Sequence, residues 1–161
     1  MNLILLPDTH PILRQVAEPV TEFNDELLAL CEEMHAIMRF NKGIGLAAPQ
    51  VGISKRIIVV DVSGPYIKDQ FLINPEIEQQ SGEQSRKEGC LTFPDLFLEV
   101  TRAKNVIVKY QDVKGNPNIM TADKLNAVVL QHEIDHLNGK LFIDYVKPMT
   151  LLLARKKLAL R

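Results

Sequence analysis

His132-Glu133-Ile134-Asp135-His136 stands inside the run Ala122 to Asn138, where apolar residues recur at helical spacing. Leu125, Val128, Val129, His132 and His136 fall along one side of that helix. Residues four apart share a face, so both imidazoles can reach one metal ion. Glu133 follows the first imidazole and can lean over the ion's open position, where a general base would meet a water. The plainer reading is a helix that carries two His and a Glu in its surface pattern. Against it, the chain has only four histidines, and two of them fall here beside a strongly apolar run. Asn138-Gly139 closes the helix, because Gly tolerates the left-handed conformation at a helix end.

Working outward, strand-like runs precede this helix rather than alternating with it. Arg56 to Val62 is rich in Ile and Val, Phe71 to Glu78 is a second candidate, and Asn105 to Gln111 alternates well. The turn Lys114-Gly115-Asn116 leads to Asn118-Ile119-Met120 as the returning strand of a hairpin. The opening segment to Val20 holds Pro7, Pro11 and Pro19, which favour extended or turn structure. Asn24 can cap an N-terminal helix from Asp25 to Phe40, whose Leu27, Leu30, Cys31, Met34, Ile37 and Met38 form one apolar stripe. Asn41-Lys42-Gly43 ends it. Pro148 suits the first turn of a short C-terminal helix that carries Arg155, Lys156, Lys157 and Arg161. The pattern predicts an α+β fold, with antiparallel β-sheets packed around a central metal-binding helix. No repeat or Gly/Ser linker divides the chain, so 1–161 reads as one domain.

Composition narrows the function classes. At 161 residues, with 46% apolar and 24% charged, the chain suits a globular protein rather than a disordered or membrane one. A formal charge of −1 gives no global field toward nucleic acid, so no direct nucleic-acid recognition is expected. Leu3-Ile4-Leu5-Leu6 before Pro7 is too short for a signal peptide or membrane span, so a cytoplasmic location is expected. Two cysteines, Cys31 and Cys90, are too few for a disulfide scaffold.

Two histidines leave a catalytic metal site one protein ligand short. The metzincin pattern would place a third His six residues after His136, but that position holds Phe142. His10 sits before a proline and His35 lies beside the apolar stripe of the first helix, both structural settings. Cys31 lies within that stripe as a small buried hydrophobe. Cys90 remains, in Glu88-Gly89-Cys90-Leu91-Thr92-Phe93-Pro94, a constrained segment that suits either a ligand or a buried Cys beside a turn. Gly43-Ile44-Gly45-Leu46-Ala47-Ala48 formally matches a dinucleotide fingerprint, yet a helix precedes it and Pro49 follows it, which excludes that reading. It is either a tight helix-to-strand connection or accessible backbone for a peptide, followed by the polar Gln50.

Taken together, Gly43 to Gly52, Glu88-Gly89-Cys90-Leu91 and Gln131 to His136 closely resemble the three signature motifs of peptide deformylases, in order and separation. His10-Pro11-Ile12-Leu13-Arg14 through Val20 resembles the family's N-terminal segment. Thr92 and Phe93 depart from the family's usual Ser and aliphatic residue, which bears on substrate preference more than on catalysis. The resemblance implies hydrolysis of the formyl group from N-formylated nascent peptides. It assigns Cys90, His132 and His136 as ligands of one divalent metal, commonly ferrous iron, with nickel, cobalt or zinc able to replace it. Glu133 would then be the general base. The Gln50 amide and the Leu91 backbone N–H would stabilise the oxyanion. The substrate main chain would add as a strand near Ile44-Gly45 and Gly89, with Leu125 and Val128 lining the methionine pocket. A transient association with the ribosome is compatible with that substrate, though the short basic C-terminal helix does not by itself imply it.

Two other readings compete. Cys90 as a nucleophile activated by a histidine would leave the second His and Glu133 without roles. An inactive peptide-binding relative would not need Gln50, Cys90, His132, Glu133 and His136 all intact.

Overall fold

The computed structural model describes residues 2–67 and 69–161. Helix α1 spans Asp25–Phe40, and its start is set by Asn24, whose side-chain oxygen accepts the Leu27 N–H at 3.0 Å. Strands β1 (Gly45–Ala47), β2 (Ile57–Val60), β3 (Phe71–Ser81), β6 (Asn105–Gln111) and β7 (Pro117–Asp123) form one sheet in the order β1-β2-β3-β6-β7. Every neighbouring pair in it is antiparallel. Strands β4 (Gln84–Cys90) and β5 (Phe93–Arg102) make a separate two-stranded hairpin. Helix α2 (Lys124–Leu137) and helix α3 (Pro148–Ala159) follow. This is the α+β, antiparallel arrangement that the sequence predicts.

The core follows from strand alternation. Ile57 and Val59 of β2 face α1, packing with Leu27, Cys31, Met34 and Met38. Ile58 and Val60 face the other way, onto Ala127, Leu130, Ile134 and Leu137 of α2. The large sheet is therefore covered on both faces, which is why β2 reads as an unbroken apolar run. The hairpin has a third cluster of its own, in which Phe93, Leu96, Leu98 and Val100 pack with Leu13, Leu141 and Phe142. Residues of α3 only partly bury against that cluster.

Several expectations need correction. The helix begins at Lys124, not Ala122, because Ala122 and Asp123 still pair with Val106 and Asn105 as the end of β7. The strand expected over Arg56 to Val62 is limited to Ile57–Val60, while β3 runs past Glu78 to Ser81 and β7 extends Asn118-Ile119-Met120 at both ends. The constrained segment around Cys90 is the tip of the β4–β5 hairpin, turned through Leu91 and Thr92. The glycine loop enters the sheet as its edge strand β1. Two free strand edges thus border the same cleft, one from β1 and one from β4.

Candidate metal centre

Helix α2 brings His132 and His136 to one face, and their rings stand edge to face at 5.1 Å. The β4 strand delivers Cys90 to the same point: its Sγ lies 3.5 Å from His136 Nε2. One donor atom from each of Cys90, His132 and His136 lies within 4.8 Å of the others, so this group is able to bind a metal. A register shift between Glu88 and Cys90 in the β4–β5 ladder kinks the strand at Gly89. Glu88 and Cys90, two apart on β4, both reach α2.

His132 is held from behind. Its Nδ1–H donates to Glu88 Oε1 at 2.9 Å, which turns Nε2 toward Cys90. Glu88 in turn accepts two bonds from Arg102, at 2.6 Å from Nε and 3.0 Å from Nη2. Arg102 also donates to Asp135 at 2.9 Å and lies over the Tyr145 ring at 4.7 Å. The Tyr145 hydroxyl donates to the same Asp135 oxygen at 2.6 Å. Sequence reasoning placed Glu88 in a motif without giving it a role, and it missed Arg102 altogether. Alternation along β4 points to Glu88, since residues two apart share a strand face. No local signal points to Arg102.

Glu133 is buried, and its Oε2 has no hydrogen-bond partner among the described residues. Its other oxygen lies against β1: a Cβ at Gly45 would meet Glu133 Oε1 at 2.6 Å, so only glycine leaves the carboxylate this room. Burial pushes the Glu133 carboxyl up to about 7, against the opposing pull of His132 and Arg102. Burial likewise drives His136 well below the ordinary imidazole range. His132 is raised to about 10 although burial works against its charge, because Cys90 and Glu88 hydrogen-bond to it.

Gln50 is fixed by three bonds. Its Oε1 accepts the Ala47 N–H at 2.8 Å, which aims its NH₂ at Thr92 Oγ1, 3.0 Å away, and Cys90 Sγ, 3.5 Å away. Thr92 therefore shares in positioning the amide, a role its sequence position did not reveal. Leu91 sits at the hairpin tip, its side chain against Gly43. Ile44, Gly45, Gly89, Leu125 and Val128 all line one cavity of about 550 Å³ with Cys90, His132 and Glu133. Ile44 and Leu125 are half exposed at its mouth, whereas Val128 is buried at its wall. His10, Cys31 and His35 lie away from it. His10 caps a short turn of helix by accepting the Ile12 N–H, His35 packs on Phe71, and burial raises Cys31 to about 12.

Arg102 grips Glu88 with two of its bonds, beside the single one from His132, and both the guanidinium and the carboxylate are nearly dry, at 3% and 4% exposed. Arg102→Leu should therefore destabilise the fold by about 3–5 kcal/mol, the usual cost of stranding a buried charge. Urea unfolding checks this. A cost under about 1 kcal/mol would mean that water reaches Glu88 freely.

A half-buried thiol, two buried imidazoles and an unpartnered buried carboxylate beside a peptide-sized cleft define a metal-dependent hydrolase as the class of protein. The family model described as polypeptide deformylase matches residues 3–151. A peptide deformylase of Acidobacterium capsulatum is 50% identical over 143 residues, covering 88% of this chain and 83% of that one. One of Bartonella tribocorum is 49% identical over 150 residues, covering 90% and 83%. Among solved structures, a peptide deformylase from Legionella pneumophila superposes with a TM-score of 0.90 at 41% identity, covering 98% of this chain and 93% of that one. The Synechococcus elongatus enzyme in complex with actinonin gives 0.89 at 43% identity, covering 96% and 85%. The chain belongs to the polypeptide deformylase family, metal-dependent enzymes that remove the N-formyl group from nascent peptides.

Proposed function

We propose that Cys90, His132 and His136 hold one divalent ion, ferrous iron in the cell, and that residues 1–161 act as a single catalytic domain. The observation that carries this reading is the convergence of three donor atoms within 4.8 Å beside an unpartnered buried carboxylate. A soft thiolate with two imidazoles suits iron, and nickel, cobalt or zinc equally well by geometry. When bound, the ion lowers the pKa of a water at the site.

The chain's own residues do the rest. Glu133 takes the water's proton and returns it to the leaving amine, and its burial, which favours the protonated carboxyl, suits that double duty. The Gln50 NH₂, its direction fixed by Ala47, and the Leu91 N–H donate to the formyl oxygen as charge grows on it. The peptide main chain adds as a strand along Ile44-Gly45 and Gly89, the free edges of β1 and β4. Leu125 and Val128 receive the methionine side chain. Such a substrate implies a cytoplasmic location and transient contact with the ribosome, without direct reading of nucleic acid. No helix among the described residues is long and apolar enough to cross a membrane.

Metal analysis of protein purified without oxygen tests the ligand set. One equivalent of iron per chain is expected, with weaker retention in Cys90→Asp, which keeps an anionic donor but loses the soft sulfur. Full retention in Cys90→Ala would remove Cys90 from the set. The pocket is tested separately: Val128→Phe should lower the ratio of formyl-Met to formyl-Ala peptide activity without expelling the metal. An unchanged ratio in the folded variant would make Val128 ordinary core.

A further inference from the structure

The catalytic cleft has a charge pattern that the deformylation chemistry leaves unused. Lys42, at the approach to β1, and Arg86 and Lys87, on β4, all line it and are all exposed. Asp95 is the single exposed acid among its lining residues. The two buried acids there do not balance the cations: Glu88 is matched by Arg102, and Glu133 is buried against Gly45. Among the described residues, none of the three cations has a carboxylate within 4.0 Å. Arg86 bonds only the neutral Gln84 amide, and Lys87 stands across from Glu99 in the ladder without pairing. A chain of net charge −1 thus concentrates unpaired positive charge on both banks of the groove that receives its substrate.

We propose that Lys42, Arg86 and Lys87 are specificity-determining residues that favour formylated peptides with Asp or Glu downstream of the first residue. The inference rests on the reading of this cleft as the deformylation site. An extended peptide held by the free edges of β1 and β4 passes between the two banks, so its downstream side chains enter their field. The effect is electrostatic, and the side chains are solvated. It therefore acts on KM, and each cation shifts it only by a few-fold. Screening over about 10 Å at 0.1 M salt weakens it further as ionic strength rises.

The test compares amidated peptides formyl-Met-Ala-Xaa-Xaa with Xaa as Glu, Gln or Lys, followed by formate release with the metal-loaded enzyme. Amidation removes the terminal carboxylate as a rival anion. At low salt, kcat/KM for Glu over Lys should be roughly tenfold, carried by KM, and should shrink toward one at 0.5 M salt. The triple variant Lys42→Glu/Arg86→Glu/Lys87→Glu should abolish or invert the ratio. Because the ratio is taken within one protein, any loss of stability cancels. A ratio of one in the parent, or a preference unchanged by the triple reversal, would overturn the proposal. Absence of formate release from all three peptides, the neutral one included, would instead overturn the reading of the site, and this inference with it.

Discussion

Stripping the metal from the purified protein is expected to abolish formate release from a formyl-Met peptide, and adding nickel or cobalt without oxygen should restore it. The experiment matters because one distance serves two chemistries. Cys90 Sγ lies 3.5 Å from His136 Nε2, which suits two ligands of one ion and also a thiol activated by an imidazole. A thiol mechanism passes through a thioformyl intermediate on Cys90 and needs no ion. The second imidazole argues for the ion, since His132 is oriented by the Glu88–Arg102 pair with its Nε2 toward the same point. Hydrogen bonds to the far nitrogen of an imidazole fix its tautomer and direction. Air should inactivate the ferrous form, because iron and its thiolate are both oxidisable. Full activity in rigorously metal-free protein, or a formyl adduct on Cys90 by mass spectrometry, would favour the thiol.

Glu133→Gln should keep the metal and lose about 10²–10⁴-fold in turnover, the usual contribution of a general acid–base. The substitution is nearly isosteric, which suits the tight space against Gly45. It also leaves the Glu88–His132 bond untouched. Metal content should therefore stay at the parent level while kcat falls, separating proton transfer from ion binding. Gln cannot take the water's proton, whereas its amide can still fill the pocket. Near-parent deformylation by this variant would assign the proton to another group.

The sequence carried the fold unevenly, and the reasons are physical. The ends of α1 were legible because Asn24 is a cap and Asn41-Lys42-Gly43 a stop. Strand β2 was legible because both its faces are buried, leaving only Ile and Val. The β4 strand was not, since Gln84-Ser85-Arg86-Lys87-Glu88 is wholly polar: its outer face is wet and Glu88 is buried against a cation. In β5, Pro94 and the positive φ of Asp95 break the pattern near its start. At the site, two imidazoles four apart on a helix announce themselves. The place of Cys90 came from the resemblance to a family rather than from spacing. Arg102 was invisible because it meets Glu88 across a hairpin with a register shift, fourteen positions away in the chain.

The hairpin's separate apolar cluster gives the ion a mechanical duty. Cys90 belongs to β4, whereas both histidines belong to α2, whose core side chains pack with the large sheet. An ion held by Cys90, His132 and His136, as proposed, would clasp one half of the molecule to the other and close the long chain segment between them. Its binding free energy is then also cohesion between the halves, in proportion to how far its concentration exceeds its dissociation constant. The seam is also bridged by the Glu88–His132 hydrogen bond and the Arg102–Asp135 pair. The hairpin is consequently the part whose amide hydrogens should exchange faster when the ion leaves, ahead of any loosening of α1 or β2.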